Sequence, residues 1–394
     1  MSEFWLPSNG NYVGRVWRPS VGPCLVHVRD NLVVDITTAE APTMRDLLEY
    51  VDVGASIERV EGVVLCTVEE LFASSIDATL DALHILAPCD LQAIKACGVT
   101  FARSIIERVI EERAAGDHSQ AALIRDQIAE IIGGSLKDLE PGSERADEVK
   151  AILIGEGLWS QYLEVGIGPY PEVFTKSQPM SAVGFGAKVG LHPVSSWNNS
   201  EPEIVLAVNS RGKVQGCTLG NDMNLRDLEG RSALLLGKAK DNNASAVIGP
   251  FIRLFNDQFT MDDVERAVIT LSIVGEDGFN LSSNCSMEEI SRKPLRLVEE
   301  TFGDHHQYPD GFVLYLGSMF APTQDRISAG QGFTHHVGDL VEISTPILGR
   351  LINKVALSTE CPKWEFGSSS LMVNLANRGL LGASALVVNP LVDI

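Results

Sequence analysis

The sequence predicts a mixed α+β protein in which strands predominate. From about residue 170 to residue 355, short apolar runs such as EIVLAV, AVITLSIV and DGFVLYLG alternate with turns rich in Gly and Pro. This pattern is typical of an antiparallel, barrel-like or rolled sheet. The same region lacks the regular strand–helix–strand alternation of doubly wound folds. We therefore expect one β-rich core with helices packed around it.

The first 90 residues predict a small α+β domain. Residues 12–37 alternate apolar and polar side chains around turn signals and indicate short antiparallel strands. Thr43 precedes the helical pattern MRDLLEYV, and Thr67 begins a second pattern, TVEELFAS. We place this domain at residues 1–90 and a catalytic domain at residues 91–394.

The only long helical pattern runs from Ser104 to about Glu140. Its apolar residues recur at helical spacing, and Gly133-Gly134 is the expected stop. A second helix is expected over ERADEVKAILIGEGLW, and a third over SMEEISRKPLRLVEETFG. These helices either pack against the core or form a lid over a site.

Composition excludes several classes of protein. The 394 residues carry a net charge of −21, which repels phosphate backbones and predicts no nucleic-acid partner. The sequence contains no apolar run of the ~20 residues that cross a bilayer. The N-terminal residues do not resemble a secretory signal. Seven cysteines without CxxC pairs indicate reduced thiols, so we predict a cytoplasmic protein that contacts no membrane.

A cluster of acidic residues marks the candidate site. Glu201 and Glu203 open the predicted strand EIVLAV, where alternate side chains face the same way. Asp222 follows 19 residues after Glu203, beyond a turn, so a hairpin could return it beside the pair. Three carboxylates without neighbouring Cys or His suit Mg²⁺, or Mn²⁺, rather than zinc. The alternative is a solvated acidic strand edge.

Five motifs in order resemble the fumarylacetoacetate hydrolase superfamily. They are PEVFTKSQPMSAVGFG, EPEIVLAV, GNDMNLRDLEGR, GKAKDNNASAVIGPF and GDLVEISTPILG. The stretches GVTFARS, DGFVLYLGSMFAP and QGFTHHVGD are similar to a sugar-acid dehydratase branch. The resemblance covers roughly residues 90–394 and implies a rolled mixed β-sheet in the catalytic domain. It also implies a homodimer or homotetramer.

The resemblance implies roles for particular residues. The family metal ligands fall on Glu201, Glu203 and Asp222, the cluster already selected from spacing. A family Lys that contacts substrate falls on Lys238, a family Thr on Thr345, and a family Arg on Arg226. The polar run after Lys238 adds Asn242 to the expected substrate contacts. Lys176 is expected either as an ion-pair partner of Glu172 or as a substrate contact.

Departures from the family pattern point away from hydrolysis. Hydrolase-type members carry a His and a Glu in a loop that matches TFARSIIE here, with Ser104 at the His position and Glu107 at the Glu position. Without the His, the usual base for activating water is missing. Glu172 adds a carboxylate that hydrolase-type members generally lack, and Glu229 replaces a Gln. We expect Glu172 or Glu107 to act as the base and Ser104 to contact substrate.

The expected reaction is a metal-dependent dehydration of a 2-keto-3-deoxy sugar acid. The five-carbon D-xylonate or D-arabinonate derivative would give 2,5-dioxopentanoate in oxidative pentose catabolism. The enzyme would then be a hydro-lyase that uses Mg²⁺, with Mn²⁺ as the other candidate. The alternative is hydrolysis of a 2,4-diketo acid, or decarboxylation of an oxaloacetate-like acid, at the same metal site.

Overall fold

The strands form two mixed sheets. The computed structural model describes residues 6–117, 119–121, 124, 136, 139–327 and 332–381. Within those ranges there are sixteen strands: β1 Tyr12–Arg18, β2 Gly22–Arg29, β3 Leu32–Asp35, β4 Val63–Thr67, β5 His84–Leu86, β6 Ala93–Cys97, β7 Val173–Ser177, β8 Lys188–Leu191, β9 Pro202–Val208, β10 Val214–Asp222, β11 Ala246–Leu254, β12 Val268–Val274, β13 Asn280–Ser286, β14 Phe312–Tyr315, β15 Leu340–Thr345 and β16 Gly349–Leu357.

The helices are short and lie around the two sheets. In the described ranges they are α1 Met44–Leu48, α2 Val53–Glu58, α3 Val68–Ser75, α4 Ala102–Arg113, α5 Glu144–Gly155, α6 Gln161–Ile167, α7 Arg226–Glu229, α8 Leu236–Lys240, α9 Met261–Glu265, α10 Pro294–Thr301 and α11 Ser368–Asn377, with 3₁₀ turns at Ala233–Leu235 and Met287–Glu289. No helix of the described residues is long and apolar enough for a bilayer crossing.

The strand order places the acidic motif at the centre of the larger sheet. That sheet has eleven strands in the order β4-β3-β2-β1-β11-β10-β9-β14-β6-β7, with β5 paired to β1. The other sheet has the order β13-β12-β15-β16-β8. Both are mixed, because β14 pairs with β6, and β16 with β8, in parallel. Apolar residues of both sheets, among them Leu206, Leu219, Leu271, Ile343 and Leu351, form one core. The predicted α+β class with a mixed sheet is confirmed.

The N-terminal strands extend the same sheet rather than forming a separate one. In β1, Tyr12 and Val13 pair with Arg253 and Ile252 of β11. The predicted caps are present: Thr43 accepts a hydrogen bond from Asp46 N, and Thr67 forms a capping box with Glu70. The helices of this part therefore begin where the sequence predicts. A domain boundary at residue 90 stays a prediction.

The long helical pattern is interrupted early. Helix α4 ends at Arg113, and Ala115 and Gly116 adopt left-handed backbone conformations. A side chain at Gly116 would lie 2.3 Å from the Asp227 carbonyl oxygen, so glycine allows this turn to approach α7 closely. Most of the pattern after this turn, including Gly133-Gly134, lies outside the described residues. The turn fixes α4 against the centre of the molecule.

Buried His27 gives a prediction about stability and pH. Its side chain is buried on β2, and its Nδ1 accepts a hydrogen bond from Arg29 Nε at 2.9 Å. Burial, reinforced by the Arg29 charge, lowers the pKa of His27 to about 4. The folded state thus favours the neutral ring, so its contribution is present above the unfolded pKa of about 6.5 and is lost as the pH falls towards 4.

We expect wild-type protein to lose up to about 3 kcal/mol more unfolding free energy than His27→Asn between pH 7 and pH 4. Asparagine keeps an acceptor for Arg29 but cannot take up a proton in this range. Denaturant unfolding of both proteins at several pH values measures the difference. Parallel pH curves for the two proteins would contradict the assignment.

Candidate metal centre and active site

The β9–β10 hairpin brings the three predicted metal ligands together. Pro202 pairs with Asn221 and Glu203 with Gly220, and Asp222 N donates to Glu201 O at 3.1 Å. Glu201 and Glu203 share a face because they are two residues apart in an extended chain. Each of the three acids offers a carboxylate oxygen within 4.8 Å of the others, and all three are buried. The alternative of a solvated acidic edge is thereby excluded.

The donor set fits a divalent cation. Glu203 Oε2 accepts the Gly317 N–H at 2.7 Å, whereas Glu203 Oε1 is buried and has no hydrogen-bond partner among the described residues. Burial raises the pKa of Glu203 well above its usual range, and the charges of Asp222 and Glu201 add to the effect. A buried, unpaired carboxylate oxygen between two other carboxylates is costly unless a cation neutralises it. Oxygen-only donors are those that Mg²⁺ prefers.

Two buried lysines border the acids. Lys240 Nζ lies 2.7 Å from Glu201 Oε2 and 3.0 Å from Asp222 Oδ2. Lys176 Nζ lies 2.9 Å from Asp222 Oδ1 and donates to the Lys240 carbonyl at 2.5 Å. Burial opposes ionisation of Asp222, but these two ammonium groups outweigh it and lower its pKa. Lys176, predicted to contact substrate, is thus a direct partner of a metal ligand.

Lys238 does not reach the site, which corrects the prediction. It is exposed, and its Nζ contacts His192 Nε2 at 3.1 Å. Both lysines belong to the five-residue helix α8, and residues two apart on a helix do not share a face. The same geometry that buries Lys240 at the acids therefore turns Lys238 to solvent. The lysine of this motif that lies beside the acids is Lys240.

Helix α4 contributes an arginine that the sequence reading missed. The Arg108 guanidinium pairs with Glu201, with Glu111 at 2.6 Å and with Glu229 at 3.3 Å. Ser104, Arg108 and Glu111 are spaced four and three residues apart, so they form a polar stripe on one side of the helix. That stripe, in a pattern otherwise read only for its apolar residues, is the signal that could have revealed Arg108.

Arg226 and Glu107 form part of the surrounding framework. Arg226 pairs with Glu111 at 2.6 Å and with Glu107 at 3.0 Å, and its guanidinium stacks over Trp197 at 4.4 Å. Arg226 is 1% exposed. Glu107 and Glu111 both belong to α4, so the Arg226 guanidinium helps to fix that helix beside the acids. Glu107, one of the two predicted bases, is engaged in the same contact.

Glu172 lies close to the charged cluster. Burial raises its pKa, while the charges of Arg108 and Lys240 partly oppose the shift. A Cβ added at Gly98 would lie 1.9 Å from Glu172 Oε2, so the missing side chain at Gly98 makes room for this carboxylate. The predicted base is thus within electrostatic range of Arg108 and Lys240.

Two predicted substrate contacts, Ser104 and Asn242, make local contacts. The Ser104 hydroxyl donates to the Phe101 carbonyl at 2.9 Å, within its own helix turn. Asn242 Nδ2 donates to the Lys238 carbonyl at 2.9 Å and closes the end of α8. The structure assigns local structural contacts to both side chains, because short polar side chains commonly hydrogen-bond the backbone of a nearby helical turn.

Thr345 ends strand β15 of the smaller sheet, and its buried Oγ1 has no hydrogen-bond partner among the described residues. Arg253 NH1 binds the carbonyl of Ile347, two residues after Thr345. Arg253 lies near one end of β11, whereas Ala246 at the other end pairs with Asp222. Seven residues of strand separate them, about 20 Å. The Thr345-Pro346 turn (the TP turn) resembles the family motif in sequence, and it joins β15 to β16.

Ser318 carries a hydroxyl group and lies next to the acidic cluster. It comes directly after Gly317, whose N–H binds Glu203. Its Oγ is buried without a hydrogen-bond partner in the part of the chain that the structure describes. Gly317 has a φ of +100°, and a Cβ there would lie 2.1 Å from Thr100 Oγ1. Glycine is therefore required for the turn that delivers both the N–H and Ser318.

Solved structures define the class of fold. No family model matches the chain. A fumarylacetoacetate hydrolase from psychrophilic Exiguobacterium antarcticum superposes with a TM-score of 0.55 at 14% identity, covering 88% of this chain and 99% of that chain. A 2-keto-3-deoxy-D-arabinonate dehydratase complexed with magnesium and 2,5-dioxopentanoate superposes with a TM-score of 0.60 at 20% identity, covering 88% and 99%. The chain has the fumarylacetoacetate hydrolase fold, as its motifs predicted.

Sequence relatives narrow the class. The chain is 27% identical over 263 residues to a 2-dehydro-3-deoxy-D-arabinonate dehydratase of Saccharolobus solfataricus, covering 63% of this chain and 83% of the relative. It is 27% identical over 333 residues to a probable 2-keto-3-deoxyxylonate dehydratase of Haloferax volcanii, covering 83% and 93%. The predicted resemblance to the dehydratase branch is confirmed by these relatives.

Proposed function

We propose that the protein is a Mg²⁺-dependent hydro-lyase that dehydrates a 2-keto-3-deoxy pentonic acid to 2,5-dioxopentanoate. The observation that carries the proposal is the buried triad of Glu201, Glu203 and Asp222, with an unpaired Glu203 oxygen, on a fold shared with a dehydratase complexed with magnesium and 2,5-dioxopentanoate. The names of both sequence relatives support the same substrate class.

The cation supplies Lewis acidity to the 2-keto acid when it is bound. The protein residues then have separate tasks. Lys240 and Arg108 place positive charge beside Glu201, and so beside a keto acid bound at the cation, where charge would develop as the C3 proton is removed. The Ser318 hydroxyl and the Gly317 turn border the same acids and are candidates to hydrogen-bond the substrate.

Glu172 is the proposed base. Its carboxylate takes the proton from C3 and, once protonated, can deliver it to the C4 hydroxyl, which leaves as water. A C5 proton then shifts to C3, and the resulting enol tautomerises, its hydroxyl proton moving to C4 to give the aldehyde, so the net change is the loss of one water. Burial raises the pKa of Glu172, and a raised pKa suits a carboxyl group that must donate a proton as well as accept one.

The structure favours dehydration over hydrolysis. The position of the family histidine holds Ser104, and its hydroxyl is occupied by the Phe101 carbonyl. Glu107, the other half of the hydrolase pair, is bound to Arg226. With these contacts in place, neither side chain can activate a water for carbon–carbon cleavage.

A substrate screen tests the proposed function. Purified protein with Mg²⁺ should convert a pentonate-derived 2-keto-3-deoxy acid into 2,5-dioxopentanoate, followed by mass spectrometry, and EDTA should stop the conversion. The C4 epimers, tested separately, identify the preferred sugar acid. Cleavage of a 2,4-diketo acid without any dehydration of the sugar acids would overturn the proposal in favour of the hydrolase alternative.

Replacing each of the two lysines of α8 in turn separates their roles. Lys240→Met should lower kcat/KM about a hundredfold or more, because it removes a buried charge beside the reacting oxygen. Lys238→Met, the matched control on the same helix, should leave kcat/KM unchanged because this lysine is exposed. Steady-state kinetics with saturating Mg²⁺ measures both. A larger loss at Lys238 would return the family role to that residue.

We further propose that the enzyme acts in the cytoplasm, in oxidative pentose catabolism, as a homodimer or homotetramer. All seven cysteines are free, which suits a reducing compartment. Val274 of β12 and Leu340 of β15 are exposed and lie opposite each other on the smaller sheet, and an exposed apolar pair suits a contact between copies. Light scattering on the purified enzyme measures the state of assembly.

A further inference from the structure

A buried chain of polar residues leads from the surface to Ser200, the residue before Glu201. Asp277, in the turn between β12 and β13, binds Arg326 at 3.0 Å. Arg326 binds Asp339 through two nitrogens, at 2.6 and 2.7 Å. Asp339 binds His335 Nδ1 at 2.8 Å. His335 Nε2 lies 3.0 Å from both the backbone N and the Oγ of Ser200, the residue before Glu201.

The chain has the residue types of a nucleophilic triad but not its geometry. A backbone N–H can only donate, so His335 Nε2 must accept the hydrogen bond from the Ser200 N–H. The ring proton is therefore on Nδ1, which donates its hydrogen bond to Asp339. Ser200 is 0% exposed, and its hydroxyl also accepts from Asn221 Nδ2 at 3.0 Å. A serine held in this way cannot attack a substrate. The arrangement is suited to holding the Ser200 backbone in place.

The surroundings keep His335 neutral and its ring fixed. Burial lowers the pKa of His335, and the hydrogen bond to Asp339 opposes this only in part. Phe333 packs edge-on against the ring with centroids 4.9 Å apart. The backbone N of His335 donates to Asn198 Oδ1 at 3.3 Å. The acceptor nitrogen is therefore aimed at Ser200 by contacts on several sides.

What Ser200 fixes is the position of the first metal ligand. Asn221 connects the two strands, since its Oδ1 accepts from Glu201 N at 3.2 Å and its Nδ2 binds the Ser200 hydroxyl. Asp222, the next residue, pairs with Glu201 through the backbone. A shift of Ser200 would thus move two of the three ligands together. Partners that orient metal ligands in this way commonly set metal affinity.

We propose that His335, oriented by Asp339 and Arg326, is a positioning residue that sets the metal affinity of the Glu201–Asp222 pair by holding the Ser200 backbone. The inference rests on the proposed function for the metal site but assigns a new task to the smaller sheet. Asp277 lies in the turn between β12 and β13, and Asp339 directly precedes β15. The chain therefore connects the smaller sheet to the β9–β10 hairpin of the larger sheet, which carries the metal ligands.

Two substitutions at His335 separate its two nitrogens. His335→Gln places an amide oxygen near the Nε2 position and keeps an acceptor for Ser200 N–H, whereas His335→Asn reaches only the Nδ1 position and keeps the contact with Asp339. Mn²⁺ affinity is measured by electron paramagnetic resonance of the free ion, and melting of the metal-free proteins is measured alongside. His336→Asn is the matched control, because that side chain is 43% exposed and contacts Asp277.

We expect His335→Asn to weaken Mn²⁺ binding about tenfold to a hundredfold, and His335→Gln and His336→Asn to bind close to wild type. Equal affinity of wild type and His335→Asn, or a larger loss in the glutamine variant, would overturn the positioning role. If His335→Asn does not fold, a strong loss of affinity in folded His335→Gln still contradicts it. Failure of the wild type to bind Mn²⁺ would instead refute the proposed function.

Discussion

Glu203→Gln is expected to abolish turnover. The substitution keeps the shape of the side chain and an acceptor for the Gly317 N–H, but it removes one of three charges that hold the cation. Loss of the Lewis acid costs several kcal/mol of transition-state stabilisation, which corresponds to at least about a thousandfold in kcat. The measurement is kcat across a range of Mg²⁺ concentrations, with Glu342→Gln, whose partner is Arg350 on β16, as the matched control.

The same variant should behave differently from wild type in a melting experiment. Because Glu203 Oε1 is buried without a described partner and its pKa is raised by burial, neutral glutamine should leave the metal-free protein as stable as wild type or more so. Adding Mg²⁺ should then stabilise wild type, by about 2.7 kcal/mol at a hundred times the Kd, and leave Glu203→Gln unchanged. Turnover near the wild-type rate would remove the metal site from the mechanism.

The metal ligands could be predicted because local rules determine them. Glu201 and Glu203 share a face for the two-residue period of a strand, and a short hairpin returns Asp222 opposite Glu201. The α+β class followed from the same kind of pattern. The helix starts at Thr43 and Thr67 depend only on capping within a few residues, so they too were visible in the sequence.

The remaining site residues depend on tertiary contacts that a motif does not contain. Lys238 and Lys240 both follow a small residue in GKAK, and only the starting point of α8 decides which one is buried. Thr345 and Ser318 both follow β-rich runs, and only the strand order places Gly317 rather than the TP turn beside Glu203. Arg108 is an ordinary surface-type residue until Glu111 of its own helix and two carboxylates from other elements, Glu201 and Glu229, surround it.

Glu172→Gln is expected to lower kcat about a hundredfold to ten-thousandfold, because general acid–base groups contribute this much to proton transfer. Metal affinity should stay near wild type, since Glu172 is not one of the ligand triad. Burial raises the pKa of Glu172, so the acidic limb of the wild-type pH–rate profile should lie above the ordinary glutamate range. That limb should vanish in the variant. Glu107→Gln, the other predicted base, is the control and should have the smaller effect because Arg226 already engages it.

Gly98→Ala tests the same carboxylate without changing it. A Cβ at residue 98 would lie 1.9 Å from Glu172 Oε2, and the flexible end of the glutamate must move to accommodate it. If Glu172 is the base, this displacement should lower kcat at least about tenfold while Mn²⁺ affinity remains unchanged, since misplacing a catalytic group by about 1 Å is costly. Full activity in both Gly98→Ala and Glu172→Gln, with loss in Glu107→Gln, would transfer the role of base to Glu107 on α4.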